Sequence, residues 1–373
     1  MTNMVFYGKI ITVFKEIGVI MNKLISLSEL SKSMAVDYSV VKKVVNSRKI
    51  EVFSIGEEEF IREDEGTDVF FILDLESEAE TTETVEVEPG KYDERNKLNN
   101  LTGKEWMPET KSFWYQKGLG RSHPHAQIEK LHPAPFSFQD ISRLINFFTK
   151  EKDIVLDPFS GVGSTVKAAA LSDRVGIGIE LSPKWSELSL ERLETEVGEG
   201  TSKNHKIITG DSREVLKTLE SNSIDFIVTS PPYWAILNKK ADHKVKTERL
   251  ANDLATNYSD SDEDLGNIES YSDFMDTLTN EIFRECGRVL KQDKYIAIVV
   301  SDFRHKSKFI SFHSDLIQRL DKLRVEEKYE YSLQGVKVLL QNHKSLLPYG
   351  YPFAYVENIH HQYILIFRKT KVK

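Results

Sequence analysis

From Ile154 to Phe367 short apolar runs take turns with amphipathic stretches, and few architectures tolerate that alternation. Ile154-Val155-Leu156, Val175–Ile179, Lys206–Thr209, Ile224–Val228, Tyr295–Val300 and Gln362–Phe367 read as strands. Helical spacing fills Ser164–Leu171, Lys184–Glu196 and Tyr271–Lys291. Strands separated by helices cannot pair as tight hairpins. They build a mainly parallel, doubly wound α/β sheet covered on both faces. Ligands of such sheets bind outside the carboxyl ends of the strands.

The 373 residues leave room for this domain and a smaller one. We expect a small helical module over residues 1–56, an acidic linker over 57–95 and the α/β domain over 96–373. The net charge of −8 hides the distribution that matters, because residues 51–95 hold 17 acidic and 3 basic side chains while residues 1–50 hold 8 basic and 3 acidic. The α/β region is therefore near neutral, and the total does not exclude a nucleic-acid partner. Within the module, Ser26 or Ser28 can cap a helix through Leu27, Leu30 and Met34, and Asp37 a second through Val40, Val41, Val44 and Val45. Lys42, Lys43, Arg48 and Lys49 on the second helix give it a helix-turn-helix character, the alternative being a helical hairpin with a solvated basic face. Met1–Ile20 is apolar but carries Lys9, Lys15 and Glu16 and no small-residue cleavage site, so no signal peptide is expected. Met21 is an alternative start. No apolar run reaches the length of a membrane span. The lone cysteine, Cys286, excludes an internal disulfide and fits a reducing cytoplasm.

Two segments carry chemistry. In the first, Asp157-Pro158-Phe159-Ser160-Gly161-Val162-Gly163-Ser164 follows a strand and opens a helix. Gly161 and Gly163 permit a tight turn and close approach of a ligand to the backbone. Glu180 ends the next strand, with Leu181 beside it, where a carboxylate can accept both hydroxyls of a ribose. Asp211, followed by Ser212, ends the third strand and is placed to accept from an adenine amino group. Three acidic residues at three successive strand ends suit a nucleoside without phosphate. The second segment is Thr229-Ser230-Pro231-Pro232-Tyr233-Trp234, after the buried run Ile224–Val228. The prolines cannot donate to a ladder, so the strand stops there and presents a hydroxyl, carbonyls and an aromatic face.

Together these segments resemble the amino-methylating DNA methyltransferases, most closely the N4-cytosine group. His132-Pro133-Ala134-Pro135-Phe136 is similar to that family's motif at the methionine end of the cofactor, and Gly103-Lys104-Glu105-Trp106 and Tyr351-Pro352-Phe353-Ala354-Tyr355 resemble further family segments. The resemblance covers roughly residues 96–370. It implies a Rossmann-like, mostly parallel seven-stranded sheet and S-adenosylmethionine as cofactor. It assigns cofactor binding to Pro135, Phe136, Asp157, Pro158, Phe159, Ser160, Gly161, Gly163, Ser164, Glu180, Leu181, Asp211, Ser212 and Ser230, and catalysis to Ser230, Pro231, Pro232 and Tyr233. The Ser230 hydroxyl and Pro231 carbonyl would accept from an exocyclic amino group and free its lone pair for in-line attack on the sulfonium methyl. Tyr233 would stack on the base and Pro232 would fix the turn. A base inside a duplex must flip to reach such a site.

Serine at 230 and Trp234 fit the cytosine-N4 group, whereas adenine-N6 members more often carry Asp or Asn at the serine position. An RNA base methyltransferase and an inactive DNA-binding regulator are the rival readings. The cofactor loop precedes the Ser-Pro-Pro-Tyr motif, while many relatives with a similar cytosine motif have the reverse order. Double-stranded DNA is the expected partner, with Lys111 and Arg121 in the basic segment Trp106–Lys130, Lys239, Lys240 and Lys244 in the basic segment Asn238–Asn257, and Trp234 of the proline motif as candidate contacts. For each segment the alternative is an ordinary exposed loop. A companion restriction or defence protein and a homodimer are compatible with the resemblance. The close pairs His123/His125 and His360/His361 lack Cys or carboxylate at ligand spacing, so no structural zinc is expected.

Overall fold

The computed structural model describes residues 24–34, 37–47, 50–56, 58–62, 93–116, 125, 127–132, 136–234, 263–341, 344 and 346–372. The chain divides into two units, Met1–Pro89 and Gly90–Lys373.

In the first unit Asp37 starts the helix Tyr38–Ser47 by accepting from the Ser39 N–H at 2.8 Å. This helix packs on Leu27–Met34 through Leu27, Leu30, Val41, Val44 and Val45. Ile61 completes that core from the strand Glu58–Arg62, which pairs antiparallel with both Leu24–Ser26 and Phe53–Ile55. Residues 58–62 fall in the interval read as linker, and the unit is thus helices with a small sheet. On the basic helix, Lys42 pairs with Glu59 at 2.9 Å, an exposed contact worth little in stability. Phe70-Phe71-Ile72-Leu73, a possible strand by sequence, lies outside the described residues, as do Arg48 and Lys49.

The second unit opens with α1 (Gly103–Glu109), held by a capping box between Thr102 and Glu105, and the short β1 (Phe113–Tyr115). The order is then α2 (Phe138–Phe148), β2 (Ile154–Asp157), α3 (Ser164–Leu171), β3 (Val175–Glu180), α4 (Pro183–Glu196), β4 (Lys206–Thr209), α5 (Ser212–Thr218) and β5 (Ile224–Thr229). Next come α6 (Tyr271–Thr277), a π turn over Leu278–Phe283, α7 (Arg284–Val289), β6 (Leu290–Val300), α8 (Phe312–Leu320), β7 (Arg324–Glu326), β8 (Tyr329–Leu340) and β9 (His361–Lys371). The sheet runs β7-β8-β9-β6-β5-β2-β3-β4, with β1 beside β8. β2 through β6 pair in parallel, and β9 lies antiparallel between β6 and β8.

Seven strands were expected in the sheet and nine are found among the described residues, because β1 and β7 extend the β8 side. The helix expected over Tyr271–Lys291 stops at Val289, and Lys291 belongs to β6, where its ammonium reaches buried Asp225 at 2.8 Å. Successive strand residues alternate between two cores. Leu156, Ile227, Ile298 and Leu365 face one; Val155, Val228, Ala297 and Ile364 face the other. The chain runs from β2 outward through β3 to β4, then returns past β2 to β5 and β6. The switch point therefore lies between the carboxyl ends of β2 and β5.

Candidate active site

β2 ends on Asp157, whose carboxylate ties three elements together. One oxygen accepts from the Phe159 N–H at 3.0 Å and the Thr229 hydroxyl at 2.6 Å; the other accepts from the Thr165 hydroxyl at 2.5 Å. Burial pushes this carboxyl's pKa up, and the three donors oppose the shift. The loop after it turns through Gly161 (φ +52°) and Gly163 (φ +74°). A Cβ at 163 would stand 2.9 Å from the Ser189 side chain, so the turn closes only on glycine. From α4, Ser189 donates to the Gly161 carbonyl at 2.9 Å and Arg192 to the Ser164 hydroxyl at 2.9 Å. Arg192 is itself held by Glu196 at 2.9 Å and Glu129 at 2.7 Å.

Glu180, the last residue of β3, accepts from the Gly161 N–H at 2.8 Å with one oxygen and from the Ser182 N–H at 2.9 Å with the other. Each oxygen keeps a lone pair for a ligand. Burial raises its pKa to about 7; the two N–H groups pull it down, and Asp157 and Asp264 add to the rise. Asp211 caps α5 through the Arg213 N–H at 2.8 Å and pairs with the Arg213 guanidinium at 2.6 Å.

The opposite wall follows β5. Ser230 and Tyr233 place their oxygens 3.5 Å apart, and the Tyr233 hydroxyl accepts from the Gln362 amide at 3.1 Å. Gln341 donates to Gln362 at 3.2 Å and to Gln116 at 2.8 Å, which links the motif through β9 and β8 to the end of β1. Phe312 meets the Tyr233 ring edge-on at 5.9 Å. Burial raises the pKa of the Tyr233 hydroxyl, with Ser230 and Gln362 opposing.

Both walls enclose one cavity of about 420 Å³. It falls in the ~300–1,000 Å³ range of small-molecule sites. Phe136, Asp157, Pro158, Phe159, Ser160, Gly161, Ser164, Glu180, Leu181, Asp211, Ser212, Ser230, Pro232 and Tyr233 line it. Gly163 shapes the turn without lining the cavity. Pro231 is buried and is not among the residues that line the cavity. Ser160 Oγ is buried and has no hydrogen-bond partner among the described residues, a hydroxyl in the lining that a polar ligand can satisfy.

The sequence missed Asp264, Lys344 and Gln362, which also line the cavity. Asp264 is buried and caps a turn through the Gly266 N–H at 2.8 Å. Lys344 comes from the loop after β8 and Gln362 from β9, and no local signal marks them.

Two expected nucleic-acid contacts are placed elsewhere. Trp234 is only 8% exposed, donates to the Ile268 carbonyl at 2.8 Å and packs against His305 and Tyr271. Its indole is a core group with its N–H satisfied, and not a surface contact. Lys111 precedes β1, at the amino end of that strand and away from the cavity edge. Pro135, Arg121, Lys239, Lys240 and Lys244 lie outside the described residues. Among the described residues no cluster of His, Cys, Asp or Glu is arranged to hold a metal ion, and no helix is long and apolar enough to cross a membrane.

A family model described as DNA methylase, of the N6/N4 type, matches residues 32–191 and 224–373. Among individual proteins, a type II beta methyltransferase, M.BslI of Bacillus sp. (strain NEB-606), is 52% identical over 63 residues, 16% of this chain and 7% of its own. The type II methyltransferase M.BglI of Bacillus subtilis is 35% identical over 103 residues, 27% of each chain. The matches thus span well under half the length of these relatives. A crystal structure of TrmN from Thermus thermophilus aligns over 68% of this chain and 54% of its own at 14% identity, with a TM-score of 0.40.

Proposed function

Since the chain belongs to the N6/N4 DNA methylase family, we propose that it methylates an exocyclic amino group of a base in double-stranded DNA, with cytosine N4 as the acceptor. One observation carries this reading. The Asp157–Ser164 loop and Glu180 share a single chamber with Ser230 and Tyr233, so a nucleoside cofactor and a base can meet face to face.

The residues fit S-adenosylmethionine. Its ribose suits the open lone pairs of Glu180, and its adenine suits Asp211 and the neighbouring Asp264 and Leu265. The Ser160 hydroxyl is a free polar partner. When bound, the cofactor supplies an electrophilic methyl group on a sulfonium sulfur. The rest is the work of the chain. Ser230 Oγ accepts an N–H of the extruded base, which draws the amino nitrogen out of conjugation. Tyr233, fixed by Gln362 and Phe312, holds the base plane. Catalysis then rests on orientation and electrostatics with no covalent enzyme intermediate. Cytosine is favoured over adenine by serine at 230, where the family resemblance associates adenine specificity with Asp or Asn.

The test is Ser230→Ala. Methyl incorporation into DNA should fall by about 100-fold or more, the scale of losing one preorganised polar contact, while calorimetric binding of S-adenosylmethionine stays near normal. Unaltered turnover would refute the role.

A further inference from the structure

The loop between β8 and β9 exposes large apolar and aromatic side chains. Phe353 is 93% exposed, Tyr355 85%, Tyr351 81% and Leu346 77%. Their presentation is organised. Asn358 clamps the base of the loop, accepting from the Leu347 N–H at 3.0 Å and donating to the Leu347 carbonyl at 2.8 Å. Gly350, at φ +74°, accepts from the N–H groups of Phe353 and Ala354 at 2.7 and 2.8 Å. A Cβ there would lie 2.3 Å from the Ala354 carbonyl oxygen, so the tip depends on glycine. Arg304 pins the far side through the Glu357 carbonyl at 3.1 Å.

Topology places this loop at the cavity. β8 ends on Leu340, paired with His361 at the start of β9, and β9 meets the carboxyl end of β6 two residues later. Lys344 and Gln362, at the two roots of the loop, line the cavity itself. One of these roots, Gln362, also donates to the Tyr233 hydroxyl, so the loop springs from the wall that holds Ser230 and Tyr233.

We propose that residues 351–355 form a DNA wedge, with Phe353 entering the duplex where the target base has left the stack and Tyr351 and Tyr355 flanking it. This rests on the reading of the chain as a DNA methyltransferase. The hydrogen bonds at the base of the loop hold the aromatic tip out to solvent. Stacking on the orphaned neighbour bases gives those rings a partner.

The test compares methyl transfer from labelled S-adenosylmethionine to one plasmid DNA, used as duplex and as heat-denatured single strands. Phe353→Ala should lose about tenfold or more on the duplex, the scale of base–aromatic stacking, and much less on single strands, where no stack must be held open. Phe353→Trp should restore duplex activity. Cofactor affinity by calorimetry should not change, since Phe353 touches neither core nor cavity. Equal activity of variant and wild type on the duplex overturns the wedge. So does an equal loss on both substrates, or a loss that accompanies a shift from dimer to monomer in sedimentation, which would make the tip a protein interface. A wild type inactive on both substrates instead overturns the parent reading.

Discussion

Replacing Glu180 with glutamine should abolish the pH dependence of S-adenosylmethionine binding between about pH 6 and 8. The carboxylate sits near pKa 7 in the unliganded protein because burial, with Asp157 and Asp264 behind it, outweighs the N–H groups of Gly161 and Ser182. Only the ionised form offers acceptors to both ribose hydroxyls. With a pKa of about 7, roughly a tenth of the carboxyl is ionised near pH 6 and nine-tenths near pH 8. Wild-type affinity should therefore rise about tenfold across that window. The variant, neutral throughout, loses a charged acceptor worth about 1.5–3 kcal/mol. It should bind some 10- to 100-fold more weakly near pH 8 and approach wild type near pH 6. Isothermal titration calorimetry reads both, and the ratio of wild type to variant cancels any titration of the ligand. Stability runs in the opposite sense. The folded-state pKa lies above the ordinary 4.5, so ionisation costs the unliganded fold about 3 kcal/mol, absent below about pH 4.5 and fully present above 7. Glu180→Gln should thus stabilise the unliganded protein above neutrality. A pH-independent affinity ratio would refute this account of Glu180.

Three further outcomes follow from the geometry. Trp234→Ala should destabilise the fold by about 3–5 kcal/mol in urea titration, as for a buried aromatic; a change within about 0.5 kcal/mol would return Trp234 to the surface. Gln362→Leu should lower kcat with little effect on cofactor affinity, and Tyr233→Phe combined with it should add less than the sum of the two, by about 0.5–3 kcal/mol in transition-state energy. Strict additivity would show that Gln362 does not act through Tyr233. Gly178→Ala places a methyl 2.3 Å from Ser160 Oγ. It should cost about 1–3 kcal/mol in thermal stability and weaken cofactor binding, and a neutral effect would show the loop to be pliable there.

The parallel half of the sheet was legible because buried parallel strands are short, mostly apolar and closed by glycine turns or prolines. Ile154–Asp157 and Ile224–Thr229 show both signals, so the cavity residues they position could be named from sequence. β8 was not legible. A bulge between Leu333 and Gly335 breaks its register, so the period of two fails midway. The strand Glu58–Arg62 contributes Ile61 alone to its buried core among acidic neighbours, and charge masks it. Trp234 misled because an aromatic after two prolines looks presented, whereas the chain turns it inward with φ +46°. Gln362 and Asp264 reach the site through long-range topology, which local patterns do not encode.

Methyl transfer to an exocyclic amino group of DNA is tested most directly by nucleoside mass spectrometry of plasmid DNA incubated with the protein and S-adenosylmethionine bearing a deuterated methyl. The label should appear in N4-methyl-deoxycytidine. Label in N6-methyl-deoxyadenosine would overturn the base assignment and keep the reaction. Label in 5-methyl-deoxycytidine, or in added RNA with none in DNA, would contradict the claim itself.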